Sequence, residues 1–252
     1  MSEATFTRES VRHELALREL RVVRRERLTS SLTRVTVTGD QLAGFSALGP
    51  EDHVKLLFPS QDGERITRDY TPAAFDEEAL ELSLDFVLHG DEGPASRFAS
   101  GAQPGDPLVV AGPRGSRMPP IGATGYVLLA DEAALPALGR WIAAVGDEAE
   151  VTAFVQSDHA DVLDYPLVAG GRVTVTAIPT GADAALAALE GPSIDAGTYV
   201  WAAGEASALI PARRALRGSG LGKDRAKVDG YWRKGVAGLD HHAPLDPEHP
   251  ED

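Results

Sequence analysis

The sequence predicts a small antiparallel β-barrel followed by a doubly wound, parallel-sheet α/β domain, and three observations carry that reading. At 252 residues the chain is long enough for two modest cores. The first half holds several short Val-, Leu- and Thr-rich runs bounded by Gly, Pro and Asp, before any long helical pattern, which suggests a barrel. The second half alternates apolar strand-like runs with helix-period segments, which implies a sheet covered by helices.

Taken in order, residues 19–28, 33–38 and 53–58 read as strands. ELSLDFVL, residues 81–88, alternates apolar and polar side chains before becoming continuously apolar. PLVVA, residues 107–111, follows the turn signal PGD. The break falls in the Gly- and Pro-rich stretch RGSRMPPIGATG. The expected domains are therefore 1–118 and 119–238, with a Pro-rich acidic tail, 239–252, expected to be disordered. Past the break, YVLLA at 126–130 has the all-apolar character of a strand buried on both faces. Leu135, Leu138, Trp141, Ile142 and Val145 then share one helix face. Strands at 151–155, 172–178 and 198–202, with helices at 182–189 and 206–217, complete the alternation.

The composition narrows the function classes. The absence of cysteine excludes disulfides, iron–sulfur clusters and thiolate zinc sites. A formal charge of −14 argues against a general nucleic-acid binder. No apolar run reaches the ~18 residues of a membrane helix, and the polar N-terminus lacks a signal-peptide core, so no membrane partner and a cytoplasmic location are expected. The tail carries five acids and no Lys or Arg, whereas residues 213–234 carry eight Lys/Arg against Asp224 and Asp229. That basic element reads either as a solvated helix face or as a site for an anionic ligand. His241, His242 and His249 in the tail could bind a metal, but a solvated tail is the simpler account, so no metal site is expected.

Five segments hold the residue types that chemistry would need. In RDYTPAAFD, Arg68 and Tyr70 fall on one strand face and Thr71 at the strand end. A guanidinium can fork onto phosphate, a phenol can stack on a planar ring system, and a hydroxyl can bond a ring nitrogen. A structural strand end explains the same residues equally well. In HGDEGPASRFA, Gly93 and Pro94 open a short helix whose first N–H groups suit a phosphate. LVVAGPRGS runs a strand into a turn with Arg114, and a barrel corner explains it too. LLADEAALPAL and VWAAGEASALI are strand–turn–helix units of the kind that place nucleotides at strand ends. Dinucleotide-fingerprint, P-loop and triad motifs are missing.

Together DHVKLLFP, RDYTPAAFD, LDFVLHGDEGPASRFA, PGDPLVVAGPRGS, DEAALPAL, VWAAGEASAL and YWRKG resemble, in order and spacing, the siderophore-interacting protein family. These are FAD-dependent ferric-siderophore reductases within the ferredoxin–NADP reductase-like superfamily. The resemblance covers about residues 18–235 and implies a six-stranded flavin-binding barrel and a nicotinamide-nucleotide domain. It places Arg68 on phosphate and Tyr70 and Thr71 on the flavin side. Asp85, Val87, His89, Gly93, Ala95 and Ser96 would also meet FAD. Asp131, Glu132, Gly204 and Glu205 would form the nucleotide side, and Lys55, Arg114 and Arg233 would meet a ferric siderophore. Hydride would pass from NADH or NADPH to the flavin, and single electrons to Fe(III), with no side chain acting as acid or base. The strand end Val155-Gln156-Ser157-Asp158 lacks a cation for a 2′-phosphate and favours NADH.

The chain departs from the family pattern at several positions. Ala73 replaces a second arginine of R-x-Y-T-x-R, Ala130 and Ala133 replace a glycine and a hydroxyl residue of G-D-E-T-A-L-P, and Phe98 replaces a tryptophan. Losing one charged hydrogen bond costs about 1.5–3 kcal/mol, so FAD is expected to bind more weakly. The added methyl at Ala130 is expected to crowd the nicotinamide path. Two alternatives stay open: a redox-inactive relative whose cleft performs a cyclase- or isomerase-like step on a large hydrophobic metabolite, and a non-catalytic siderophore binder.

Overall fold

The computed structural model describes residues 5–59, 65–88, 93–167, 170–239 and 243–250, and it divides into two compact units. One comprises Ser10–Met118 with Asp164–Pro166. The other comprises Met1–Glu9, Pro119–Leu163 and Leu167–Asp252.

In the first unit the strands are β1 (Ser10–Arg12), β2 (Leu17–Arg27), β3 (Leu32–Thr38), β4 (Val54–Pro59), β5 (Arg65–Tyr70), β6 (Pro72–Asp76), β7 (Glu81–Val87), β8 (Pro107–Ala111) and β9 (Gly115–Arg117). Helix α1 (Pro94–Gly101) lies between β7 and β8. Seven strands form one antiparallel sheet in the order β5-β4-β8-β2-β3-β7-β6. Its core comes from alternate residues, such as Val35 and Val37, Val54 and Leu56, and Leu82, Leu84 and Phe86, all fully buried. The two edge strands, β5 and β6, are consecutive in the chain and separated by Thr71 alone. The sheet therefore curls until its edges meet. Counted as one bent strand, β5 and β6 give the six strands expected. Pro72 explains the bend, because it has no N–H for the ladder and drives the preceding residue out of register. The register against β7 shifts between Pro72 and Ala74, which makes Ala73 a bulge residue.

The short β1–β9 pair was not legible in the sequence. It depends on close approach, since a Cβ on Gly115 would lie 2.7 Å from the Val11 carbonyl oxygen. A buried network holds the corner beside it. Ser116 Oγ donates to Asp52 Oδ2 at 2.5 Å, accepts from the Leu48 N–H at 2.9 Å, and meets His13 Nε2 at 2.7 Å.

The second unit has β10 (Gly125–Asp131), α2 (Leu135–Val145), β11 (Glu150–Gln156), β12 (Val173–Ile178), α3 (Ala182–Glu190), β13 (Thr198–Glu205), α4 (Ala206–Gly218) and β14 (Ala226–Trp232). All five strands are parallel, in the order β12-β11-β10-β13-β14. Alternate strand residues serve opposite faces. Val127, Leu129, Val200 and Ala202 share a core with Leu189 of α3 and Leu209 of α4. Tyr126, Tyr199 and Trp201 pack on Trp141 of α2, with centroids 5.8–6.0 Å apart. β14 was missed because AKVDGYW reads as part of a basic polar run rather than as a strand.

Two expectations about the chain ends are corrected. Residues 5–9 belong to the α/β unit and not to the barrel. Phe6 meets Tyr199 edge-on, and the Arg8 guanidinium lies 5.1 Å from the Trp141 ring centre. The tail is not disordered at residues 243–250: Leu245 enters the α3–α4 core and Asp246 is 1% exposed. His241 and His242 lie outside the described residues, and His249 joins no group of metal-ligating side chains among the described ones.

Candidate functional site

Within the barrel unit, Arg68 and Tyr70 sit two residues apart on β5, opposite the buried Leu56 and Val54 of β4, so both project to the inner face of the curl. Arg68 Nη1 donates to the Thr67 carbonyl at 2.8 Å. The Tyr70 ring tilts against Phe86 at 4.6 Å, and burial pushes its hydroxyl pKa up, so it stays a neutral donor. Thr71 is buried where β5 turns into β6. Phe86 continues the aromatic contact to Phe98 on α1 at 6.1 Å, and Phe98 meets Phe58 at 5.7 Å. The tryptophan-to-Phe98 departure thus lies in the packing that seats α1 beside Tyr70.

Helix α1 starts at Gly93 with Pro94 at its first position, no side chain capping its N–H groups, and no acid in its first turn. Such an end is open to a phosphate. Ala95 and Ser96 in that turn are both buried, and Val87 is half-buried at the end of β7. His89 lies outside the described residues.

Asp85 differs from its expected cofactor role. It sits on β7 opposite Arg34 of β3, on the face away from Phe86. Its inaccessible carboxylate accepts Arg34 Nε at 2.7 Å and Nη2 at 2.8 Å, and the Tyr165 hydroxyl at 2.7 Å. The forked carboxylate raises the pKa of Arg34, and burial followed by the carboxylate raises that of Tyr165. Asp85 is thereby engaged in a structural lock. Arg34 and Tyr165 escaped sequence reasoning because the first needs the β3–β7 register and the second is 80 residues away.

Lys55 lies on the opposite face of the β4–β5 ladder from Arg68 and Tyr70, paired with Asp69 at 2.8 Å. Arg114 is exposed at the turn between β8 and β9. Arg233 belongs to the other unit.

In the α/β unit, Asp131 and Glu205 cap the segments that follow β10 and β13. Asp131 Oδ1 accepts the Ala133 and Ala134 N–H groups at 2.9 and 3.2 Å, while Oδ2 accepts the Trp232 indole N–H at 2.6 Å. Burial raises the pKa of Asp131 to about 6, against the lowering pull of these bonds. Gly204 permits this approach, because a Cβ there would lie 2.7 Å from Asp131 Cγ. Glu205 Oε2 accepts the Ala208 N–H at 2.7 Å, and Oε1 accepts the Lys234 N–H at 3.1 Å. Glu132 Oε1 accepts Ser157 Oγ at 2.6 Å and lies 2.8 Å from His159 Nδ1. Ala130 is fully buried on β10, paired with Val155 of β11 and Ala203 of β13.

The basic element spans α4 and β14, and the chain's own tail takes up much of it. Arg214 binds Asp246 at 2.6 Å and Glu248 at 2.7 Å. Arg213 donates to the His249 carbonyl at 3.1 Å. Arg233, expected on the substrate side, donates to the Leu245 carbonyl at 2.8 Å. Neither a solvated helix face nor an open anion site describes the result.

An antiparallel half-barrel with an open helix N-terminus, next in sequence to a five-stranded parallel sheet, defines the ferredoxin-reductase-like class of two-unit flavin and nicotinamide proteins. Comparison with known proteins agrees. A siderophore-interacting FAD-binding domain matches residues 21–66 and 60–117, and the siderophore-interacting protein domain matches residues 123–235. The chain belongs to the siderophore-interacting protein family. It is 34% identical to the NADPH-dependent ferric-chelate reductase of Escherichia coli K12, across 88% of this chain and 95% of the relative. It is 28% identical to the ferric vibriobactin reductase of Vibrio cholerae, across 86% and 90%. A siderophore utilization protein from T. fusca superposes with a TM-score of 0.85 at 39% identity, covering 94% of this chain and all of that one.

The barrel residues fit FAD. A guanidinium and a phenol on one face, a buried hydroxyl at the strand end and a helix start with no side-chain cap and no acid in its first turn are groups a flavin diphosphate can use.

Proposed function

We propose that this chain is an FAD-dependent ferric-siderophore reductase that takes its electrons from a reduced nicotinamide nucleotide. The observation that supports it best is the Arg68–Tyr70–Thr71 strand end beside the uncapped start of α1, joined through the Tyr70–Phe86–Phe98 contacts. When bound, FAD supplies the exchange between a two-electron hydride donor and a one-electron acceptor. The chain's own work is binding and orientation. Arg68 would neutralise phosphate, the N–H groups of Gly93, Ala95 and Ser96 would donate to it, and Tyr70, held neutral by its burial, would offer a ring face and a hydroxyl donor. Among the α/β residues proposed for the nucleotide side, Asp131 and Glu205 cap the segments after their strands, Gly204 admits Asp131, and Glu132 holds Ser157. Lys55 and Arg114 remain proposed contacts for an anionic ferric chelate, with Lys55 first having to exchange Asp69 for it. Reduction to Fe(II) weakens hard-oxygen chelation and frees the metal. No described helix is long and apolar enough to cross a membrane. We assign the reaction to the cytoplasm, where reduced nicotinamide nucleotides are held.

The non-redox alternative requires Ala73, Ala133 and Phe98 to make the cleft less polar. Phe98 packs on Phe86 and Phe58, which gives that residue a structural reason, and nothing in the structure explains the alanine at 133. The test is Fe(II) formation from a ferric hydroxamate by FAD-loaded protein with NADH and with NADPH. The reading predicts Fe(II) with at least one nucleotide and a marked loss in Tyr70→Ala. No Fe(II) with either nucleotide contradicts it.

A further inference from the structure

Four parallel strands end side by side in the α/β unit, with Asp131 of β10 opposite Gln156 of β11, and Gln156 opposite Ile178 of β12. Hydrogen bonds knit the residues just past these ends. Gln156 Nε2 donates to the Pro179 and Gly181 carbonyls at 3.2 and 2.9 Å. Asp158 accepts the Thr180 hydroxyl at 2.6 Å and its N–H at 3.1 Å. The exposed Asp158 carboxylate is therefore fixed in direction directly after the strand next to the central one, and the Thr180 bonds hold its pKa below the usual range, so it stays charged. A carboxylate has about four lone-pair positions, and two donors leave room for another.

In doubly wound sheets, an acid here accepts the adenosine ribose 2′-hydroxyl, whereas an arginine nearby takes a 2′-phosphate. The sequence has no Lys or Arg between Arg140 and Arg172, and none between Arg172 and Arg213. Arg172 precedes β12, at the opposite end of the strands from Asp158. The one basic side chain in the stretch, His159, is held by Glu132 Oε1 at 2.8 Å. Every strand end from β12 to β13 thus presents carboxylate or neutral groups.

We propose that Asp158 makes the chain selective for NADH, its carboxylate taking the ribose 2′-hydroxyl and repelling the 2′-phosphate of NADPH. The inference rests on the reductase reading and parts this chain from the Escherichia coli relative, whose name states NADPH dependence. Charge repulsion across one water-exposed contact is expected to set the two nucleotides roughly tenfold to a hundredfold apart. Calorimetric titration of the FAD-loaded protein with NADH, NADPH, 5′-AMP and 2′,5′-ADP reads binding directly. Wild type should bind NADH and 5′-AMP more tightly. Asp158→Ala should narrow the gap, and Asp158→Arg should invert it. Equal or tighter binding of NADPH by wild type overturns the inference, as does an unchanged ratio in Asp158→Arg, while either result leaves the reductase reading standing if Fe(II) still forms. Binding of neither nucleotide, with no Fe(II) formed, overturns both.

Discussion

At the residue scale, Ala73 and Asp85 mark where chemistry and scaffold part. Ala73 is a bulge residue one turn of chain beyond Arg68 and Tyr70, so a longer side chain there is aimed by the bulge rather than fixed by the pleat. Ala73→Arg should strengthen FAD binding about tenfold or more, the worth of one charged hydrogen bond, in a flavin-fluorescence titration. Asp85 acts on stability. Arg34→Ala leaves a buried carboxylate uncompensated and should cost about 3–5 kcal/mol in denaturant unfolding, whereas Tyr165→Phe should cost about 1–3 kcal/mol. Asp131 predicts a pH effect. Because its folded pKa is raised to about 6, its contribution to stability is full below the ordinary carboxyl range and lost as pH rises through about 6. Protonation removes the charge that accepts the Trp232 indole, and Trp141 and Trp201 are fully buried elsewhere. Tryptophan emission should therefore titrate near pH 6, and Trp232→Phe should abolish that transition.

At the element scale, the acidic tail is a clasp on α4 and β14. Removing residues 239–252 exposes the cavity of Leu245, worth about 1.5–3 kcal/mol of burial, and removes the tail contacts of Arg213, Arg214 and Arg233. Thermal unfolding of the truncated chain should show a lower midpoint for the α/β unit. Arg214 holds the carboxyl of Asp246 down at about 2, so the clasp's contribution is present above the ordinary Asp range and lost as pH falls toward 2. Composition pointed to disorder here because a short, Pro-rich, acidic run cannot bury itself. What it could not show is that a basic helix and strand lie within reach. The elements whose apolar period decides them, such as β2, β3, β4, β7, β8 and those from β10 to α4, were legible within three residues at their ends, whereas β6 was not, because Pro72 reads as the end of a strand. β1, β9 and β14 were not, because their pairing is tertiary and their sequences are polar.

At the scale of the whole molecule, the two-unit architecture followed from the change of rhythm near residue 120. The placement of the proposed site residues was legible where one strand carries them, at Arg68, Tyr70 and Thr71, and where a Gly-Pro pair opens α1. It was not legible at Asp85, Lys55 and Arg233, whose side chains are engaged by Arg34 and Tyr165, Asp69 and Leu245, because one sequence does not reveal which polar group already has a partner. The central claim is that this scaffold still holds FAD despite Ala73. Adding FAD to flavin-free protein, removing the excess by gel filtration and recording the absorbance spectrum tests it most directly. The account predicts retained oxidised-flavin bands at near-equal molar ratio, bleached on anaerobic addition of NADH and restored by a ferric hydroxamate. Colourless protein after gel filtration, with unchanged folding, would contradict it.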